Sequence, residues 1–457
     1  MNKKRSAFSG KIGYVLSAAG ASVGLGNIWR FPYLAAKYGG GIFLLVYIIL
    51  ALTFGYTMIV AESALGRMTR KSPVGAFRSF AKGKKVGWLS FGGWINAIIP
   101  VLIVPYYSVI GGWVVKYLFE YIRGNGSKLA EDGYFSGFIS SGGATEICFV
   151  IFCMFTLVII YAGVQNGIER VSKIMMPILI VLSVIIAIYS VTRPGAIEGV
   201  KYFLVPNVKN FSWMTVVAAM GQMFYSLSIA MGILVTFGSY MRKDTSIEDS
   251  TRNVEIFDTA IAMMAGLMII PAVFAFSGGD PDTLQAGPSL MFITIPKVFA
   301  NMGFGTAVGI LFFVLVLFAA VTSSIALTES AVSTFEDELG WGRKKATVLT
   351  GVIMITLGTL SCLGYGPLDF VKIIGMQFLD FFDFLTNSVM MPIAALMTSL
   401  LVSRVIGVDK IEEEIRHGES TFRRKKIFVV MIKYLCPIFA LIILASSVAN
   451  AFGWIAM

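Results

Sequence analysis

Residues 20–32 read Gly-Ala-Ser-Val-Gly-Leu-Gly-Asn-Ile-Trp-Arg-Phe-Pro, "GASVGLGNIWRFP". The stretch lies inside an apolar run long enough to cross a bilayer, yet it carries three glycines, a serine, an asparagine, an arginine and a proline. A chain in lipid must satisfy its own backbone, because no water is present to bond the N–H and C=O groups a broken helix exposes. Irregular backbone at that depth is tolerated where it is buried in protein or lines a polar cavity. Gly20, Gly24 and Gly26 by themselves fit two readings equally: a break, or close helix packing of the small-xxx-small kind. Asn27 and Arg30 tip the balance towards a site, since polar side chains within a span are costly without a task.

The rest of the chain sets that run in a membrane. Of the 457 residues, 56% are apolar and 14% charged, with a mean hydropathy of +0.79. A soluble chain of this size needs far more surface charge. Apolar runs of bilayer length recur at 11–36, 41–66, 88–122, 147–164, 168–192, 213–241, 254–277, 303–335, 346–364, 369–403 and 427–455, eleven in all. The polar stretches 124–146 and 404–426 read as loops between them. Lys3, Lys4 and Arg5, the Arg67–Lys85 region, Arg242-Lys243, Arg343–Lys345 and Arg423–Lys426 alternate onto one side, which the positive-inside rule makes cytoplasmic. The other loops carry Glu131, Asp132, Asp280 and Asp282. The expectation is a multi-pass plasma (inner) membrane protein with its N-terminus cytoplasmic and its C-terminus outside. The net charge of +11 is then topology and not a nucleic-acid footprint. Cys148, Cys153, Cys362 and Cys436 have no ligand spacing and His417 is the only histidine, so a metalloenzyme or Ser-His hydrolase has no support. Oligomeric state leaves no mark in the sequence.

The sixth run is interrupted as well, in "GQMFYSLSIAMG" (221–232), by Ser226, Ser228 and Gly232. Paired interruptions five spans apart predict an all-α polytopic fold of two inverted five-helix repeats, 11–192 and 213–403, with 427–455 as an added eleventh helix in one domain, 1–457. That layout belongs to secondary transporters whose site lies at the midplane between two broken helices. Unwound carbonyls bind a cation there, and half-helix N-termini hold an anion such as a carboxylate.

"GASVGLGNIWRFPY" (20–33) followed by "GGGIFLLVYII" (39–49), "GQMFYSLS" (221–228), "TFGSYMRKD" (236–244), "FAAVTSSIA" (318–326) and "FEDEL" (335–339) closely resemble the neurotransmitter:sodium symporter family, in the family's order and over nearly the whole chain. The resemblance implies sodium-coupled uptake of a small amino acid or amine by alternating access. An eleven-span chain is similar to bacterial members that carry hydrophobic and aromatic amino acids. One sodium site would take the carbonyls of Gly20, Val23 and Ala319 and the hydroxyls of Thr322 and Ser323. The other would take the Ser22 carbonyl, Asn27, Ser226 and a seventh-span group, here Asp258 in "EIFDTAIAMMAG" (255–266), where many members have asparagine. Animal members add chloride nearby. Ala262 stands where they have a serine ligand, although Tyr47, Gln222 and Ser226 match the others. An ionised Asp258 would supply the missing charge, so chloride would not be required; a protonated, structural Asp258 is the other reading.

Glycine at position 24, where amine carriers have aspartate, implies a substrate that brings its own carboxylate. Leu25 and Gly26 amides and the Tyr107 hydroxyl would hold it, and carbonyls near Ser22, Tyr225, Ser226 and Ser228 would meet the amine. Ala21, Ile103, Tyr225, Ser228, Met231, Ser323 and Leu327 would line the side-chain pocket. Methionine at 231, where a small-substrate member has phenylalanine, suits a larger hydrophobic or aromatic side chain. Arg30 and Asp383 would form the outer gate, with Asp380 as the competing acid. Arg5 and Asp337, supported by Ser239 and Tyr240, would form the inner one. Phe8 replaces a common tryptophan, which would loosen inner closure; Gly167 and Pro177 match a fifth-span unwinding motif. Glu62 reads as a buried structural acid. A channel, a membrane enzyme and a transporter-like receptor are the competing classes, and concentrative sodium-dependent uptake separates them.

Overall fold

The computed structural model describes residues 6–81, 87–277, 288–419 and 421–454. Among the described residues, nine helices are long and apolar enough to cross a membrane: Gly41–Thr69, Gly87–Ile122, Gly143–Tyr161, Val164–Val191, Ile247–Ser277, Gly305–Leu339, Arg343–Leu363, Phe378–Ile406 and Lys425–Ala451. Two further segments complete the expected eleven, and each is broken. The first span runs Lys11–Ser22, resumes as a π turn at Gly26–Arg30 and ends in Phe31–Lys37. The sixth runs Trp213–Ser226 and resumes at Ile233–Tyr240.

The helices form two groups. The first, second, sixth and seventh spans pack on one another, and the third, fourth, eighth and ninth form a second group. The first span also rests on the eighth, and the fifth lies against the seventh and eighth, so the broken helices run along the seam between groups. Glycines let the second span approach the resumed sixth. A Cβ on Gly238 would lie 2.9 Å from the Ser63 Cα, and one on Gly66 would lie 2.8 Å from the Ser239 amide nitrogen.

Three expectations change in detail. The tenth span starts at Phe378 and not at 369, because 369–377 turns back on itself through an Ile373–Met376 bridge. The polar stretch 404–426 is no simple loop. It contains the helix Val408–Arg416, which buries Ile411 and Ile415 and presents its charged side outward. The stretch 124–146 holds the short helices Gly126–Leu129 and Tyr134–Ser140. Between the seventh and eighth spans, Leu290–Thr294 and Ile295–Ala300 dip into the protein, and Phe292 packs edge-on against Trp29, Trp113 and Tyr117.

Basic residues gather at one end, called here the basic end. Arg67, fully buried, donates from Nε to Glu414 at 2.6 Å and from a terminal nitrogen to the Thr245 carbonyl at 2.6 Å. Glu248 accepts from the Arg423 and Arg424 amides and the Tyr56 hydroxyl, each at 2.9 Å. Hydrogen bonds from Lys425, and from Arg416 beside it, hold the Glu412 carboxyl below its usual range. The helix Val408–Arg416 is thereby clamped to the second span and to the sixth–seventh connection. Breaking a buried pair strands a charge, whereas replacing both partners does not. Arg67→Met is therefore expected to lower unfolding free energy by about 3 kcal/mol, with partial recovery in Arg67→Met/Glu414→Leu, as measured by chemical denaturation in detergent.

Candidate functional site

At the first break the backbone leaves the helical ladder at Val23, whose φ of −76° and ψ of 92° are extended. Asn27 bridges the gap, its side-chain oxygen accepting from the Gly24 amide at 3.2 Å. The carbonyls of residues 20–23 lose their ladder partners. The Ser323 hydroxyl lies 3.3 Å from the Gly20 carbonyl, 3.1 Å from that of Ala21 and 3.4 Å from that of Val23. One hydroxyl carries one proton, so three carbonyls around it form a buried group with more acceptors than donors. Thr322 stands beside them, its side chain 3.2 Å from where a Cβ on Gly20 would sit, and its hydroxyl lies 3.2 Å from the Ala319 carbonyl. Gly20, Val23, Ala319, Thr322 and Ser323 are thus brought together. Their oxygens are the hard donors a small alkali or alkaline-earth cation takes.

A second cluster forms on the other side of the break. Asp258 is fully buried and receives hydrogen bonds at one oxygen from Asn27 (2.8 Å) and Ser226 (2.8 Å), and at the other from the Tyr47 hydroxyl (2.7 Å). All three donors are neutral. No lysine, arginine or histidine lies within ion-pair distance among the described residues. Gln222 is engaged elsewhere, donating to the Gly26 carbonyl at 3.0 Å.

The sixth span is broken by geometry as well as composition. Ser228 (φ 53°), Ala230 (φ 60°) and Gly232 (φ 70°) adopt left-handed backbone, which side chains other than glycine's resist. Glu62 holds this strained segment by accepting from the Ala230 amide at 2.9 Å, and Ser228 donates to the Ala21 carbonyl at 3.0 Å, tying one break to the other.

Between the breaks lies a cavity. Ala21, Ser22, Leu25, Gly26, Ile103, Tyr107, Tyr225, Ser226, Ser228, Met231, Ser323 and Leu327, the whole substrate set expected from sequence, line it, together with Gly24, Asn27 and Ile233. Ile233 was missed because it opens the resumed helix and has no motif of its own. The cavity is tight, with about 20 Å3 of free volume. Tyr107 accepts from the Leu25 amide at 3.3 Å. Gly24 is needed open: a Cβ there would sit 2.7 Å from the Ser323 oxygen and 3.2 Å from the Tyr107 oxygen. Gly26 is equally confined, since its Cβ would lie 2.5 Å from the Tyr225 ring.

Tyr225 also lines a larger cavity, about 320 Å3, that opens towards the end opposite the basic one. Arg30, Asp380 and Asp383 line it, but the expected Arg30–Asp383 ion pair is not formed. Tyr106 (3.2 Å) and Asn387 (2.5 Å) hold the Asp383 carboxylate, while the Arg30 guanidinium stands 5.5 Å over the Tyr225 ring. Asp380 accepts instead from Tyr365 at 3.0 Å. Ser446, Ser447 and Asn450 add polar groups from the eleventh span. Their signal was present, as three polar residues within two turns of an otherwise apolar helix.

The basic end is shut. Phe8 is 2% exposed and meets Tyr14, Phe237 and Tyr240 edge-on. Asp337 accepts from the Ser72 amide at 2.6 Å; Ser239 donates to the Thr236 carbonyl at 2.6 Å, and Tyr240 to Glu329 at 2.7 Å. Glu329 in turn receives Arg343 at 2.6 Å, a pair not anticipated from sequence. Arg5 lies outside the described residues. Gly167 falls in the π turn Val164–Glu169 and Pro177 inside the helix that follows; Glu169 accepts from the Ser9 amide at 2.9 Å.

The sodium:neurotransmitter symporter family model matches residues 5–127 and 134–453. YhdH of Bacillus subtilis, described as an uncharacterized sodium-dependent transporter, is 36% identical over 416 residues, covering 90% of this chain and 91% of the relative. An uncharacterized sodium-dependent transporter of Haemophilus influenzae is 32% identical over 458 residues, covering 98% and 99%. Among solved structures, MhsT in complex with L-phenylalanine superposes with a TM-score of 0.86 at 36% identity, covering 97% of this chain and all of that one.

The Glu62 contact makes its own prediction. Glu62→Gln keeps an oxygen for the Ala230 amide and should melt close to the parent. Glu62→Leu leaves that buried N–H unbonded and should lose about 1–3 kcal/mol, read from thermal unfolding in detergent.

Proposed function

The chain belongs to the sodium:neurotransmitter symporter family, whose members are membrane transporters and not enzymes, and we propose that it takes up a neutral hydrophobic or aromatic L-amino acid with two sodium ions, without chloride. The observation that carries this reading is the acceptor excess at the first break: freed carbonyls on one side and a buried, unneutralised Asp258 on the other.

One sodium ion sits among the carbonyls of Gly20, Val23 and Ala319 and the oxygens of Thr322 and Ser323. It ties the broken first span to the eighth, across the seam between helix groups. The second sits at Asn27, Ser226, Asp258 and the Ser22 carbonyl, beside the substrate carboxylate. Asp258 supplies the negative charge that chloride gives elsewhere. In support, Tyr47 and Ser226 spend their hydroxyl protons on that carboxylate and Gln222 gives one of its two amide protons to Gly26, so most of the matching chloride donors are already engaged.

The Leu25 and Gly26 amides and the Tyr107 hydroxyl take the substrate carboxylate. Ile103, Met231, Ile233 and Leu327 make an apolar wall for its side chain. A neighbour of the same fold crystallised with L-phenylalanine supports an aromatic or hydrophobic substrate. The small free space implies that Tyr225 and Met231 shift when the substrate enters, and methionine is well suited to that.

The basic end faces the cytoplasm and the two five-helix halves, 11–192 and 213–403, are inverted repeats. The shut basic end and the open opposite cavity then describe an arrangement that loads from outside. Closure brings Arg30 to Asp383 over Tyr225, and opening withdraws Phe8 and the Asp337 region from the other end. Arg5 takes part in that inner closure. Two sodium ions and a zwitterion carry two charges inward, worth about 4.6 kcal/mol at 100 mV, roughly a 10³-fold gradient before the sodium gradient is counted.

In proteoliposomes, L-phenylalanine uptake is expected to concentrate the substrate in sodium and to stop in choline. Gluconate in place of chloride should leave the rate unchanged; a halved rate would sink chloride independence. Asp258→Asn removes the charge and leaves one acceptor oxygen in place of two, so one of the donors Asn27, Ser226 and Tyr47 loses its acceptor; sodium-dependent substrate binding should weaken by at least about tenfold, or ~1.4 kcal/mol. In Gly24→Asp, the new carboxylate occupies the substrate's place and its Cβ crowds Ser323 and Tyr107, so binding by scintillation proximity should vanish and the thermal melt should fall below the parent's.

A further inference from the structure

The cations of the basic end divide into two sets. Some are neutralised by carboxylates: Arg423 by Asp249 (3.6 Å), Arg424 by Glu255 (3.2 Å) and Lys425 by Glu412 (2.5 Å). Lys426, Lys433 and Arg404 have no carboxylate within 4.0 Å and no side-chain hydrogen bond among the described residues.

These three share a place. Lys426 and Lys433 are seven residues apart on one helix, which puts them on one face two turns from each other. Around them Ile427, Val430, Tyr434 and Ile438 are exposed, which marks that face as the lipid side. Arg404 is exposed on the turn Leu401–Ile406, and that turn packs directly against Met431–Leu435, which carries Lys433. Next to Arg404, the Ser403 hydroxyl is buried without a partner.

Like charges on contacting turns repel, and more strongly where water is thin. Lys433 lies eight residues past the start of its helix, about 12 Å along the axis at the usual rise. That is deep for a lysine that serves only to mark topology. An anion that itself resides at the membrane boundary and brings apolar chains satisfies both the charges and the exposed Ile427, Val430 and Tyr434 surface. Basic pockets between membrane helices take phospholipid headgroups in this way. A zwitterionic headgroup brings its own cation and offers no net charge to the cluster.

We propose that Arg404 and Lys433, with Lys426 at the rim, bind the phosphodiester of an anionic phospholipid on the lipid-facing surface where the turns Leu401–Ile406 and Met431–Leu435 of the tenth and eleventh spans meet, in the leaflet on the basic side. Its acyl chains lie along Val430, Tyr434 and Ile438. The lipid thus bridges the two last spans at the end where the Val408–Arg416 helix is clamped.

The test is retention of phosphatidylglycerol by the purified full chain, followed by native mass spectrometry and by titration in phosphatidylcholine nanodiscs. Arg404→Gln/Lys433→Gln should weaken phosphatidylglycerol binding about tenfold, while Arg404→Lys/Lys433→Arg and the exposed Lys410→Gln bind like the parent. Equal retention by the neutralised double variant, with an unchanged thermal melt, overturns the proposal. Displacement of the lipid by millimolar inorganic phosphate overturns it too, since the site would then be an aqueous anion site. Phosphatidylcholine binding that falls in step with phosphatidylglycerol has the same consequence, because charge would not be what is read. The assay involves no transport, so its outcome is independent of the proposed substrate and ions.

Discussion

Carbonyl groups released from a helix inside an apolar interior need a positive partner, and everything central in this molecule is arranged around that need. Leaving one buried polar group unsatisfied costs on the order of 1–3 kcal/mol. The first break releases several within one turn. Ser323 can donate to only one of the three carbonyls it approaches, and Asn27 is spent on Gly24, Ser226 and Asp258. The protein's own donors are exhausted before its acceptors are. In the proposed function sodium closes the deficit, and the stability of the break becomes linked to ion occupancy.

Asp258 sharpens the same constraint. A carboxylate buried among neutral donors is tolerable only if protonated or joined by a cation. Its neighbours are a tyrosine, a serine and an asparagine, so no cation among the described residues stands ready to offset an ionised carboxylate there. This arrangement also makes the chemical logic of coupling direct. One ion would touch both Asp258 and the substrate, so the affinities of ion and substrate must rise together, by the reciprocity that binding linkage requires.

The two ends of the molecule differ in how they are held. At the basic end, Phe8 among three aromatic rings, the Glu329–Arg343 pair and the Arg67–Glu414 pair tie several spans together. At the opposite end, Arg30 and Asp383 face a common cavity while each rests on a different partner. Tyr106 and Asn387 keep the Asp383 carboxylate on the side of the third and tenth spans. Arg30 stays with the broken first span.

Much was legible from residue order alone. Hydropathy marks eleven spans because burial in lipid demands about 20 apolar residues each, and both breaks show as polar and glycine-rich interruptions that lipid would not otherwise permit. The twelve lining residues came from the family resemblance that the local motifs carry, and not from residue order alone. Tertiary packing decided the rest. Asp258 meets Tyr47 across 211 positions and Asn27 across 231, and no local pattern encodes such a meeting. Arg30 and Asp383 are complementary in sequence yet apart in space, because hydrogen bonds from Tyr106 and Asn387 compete for the same carboxylate. The clamped helix at 408–416 was read as loop because its apolar face, Ile411 and Ile415, is too short to register until something is seen to cover it. Composition and periodicity report what each segment must bury; only the folded chain settles which partner it buries that surface against.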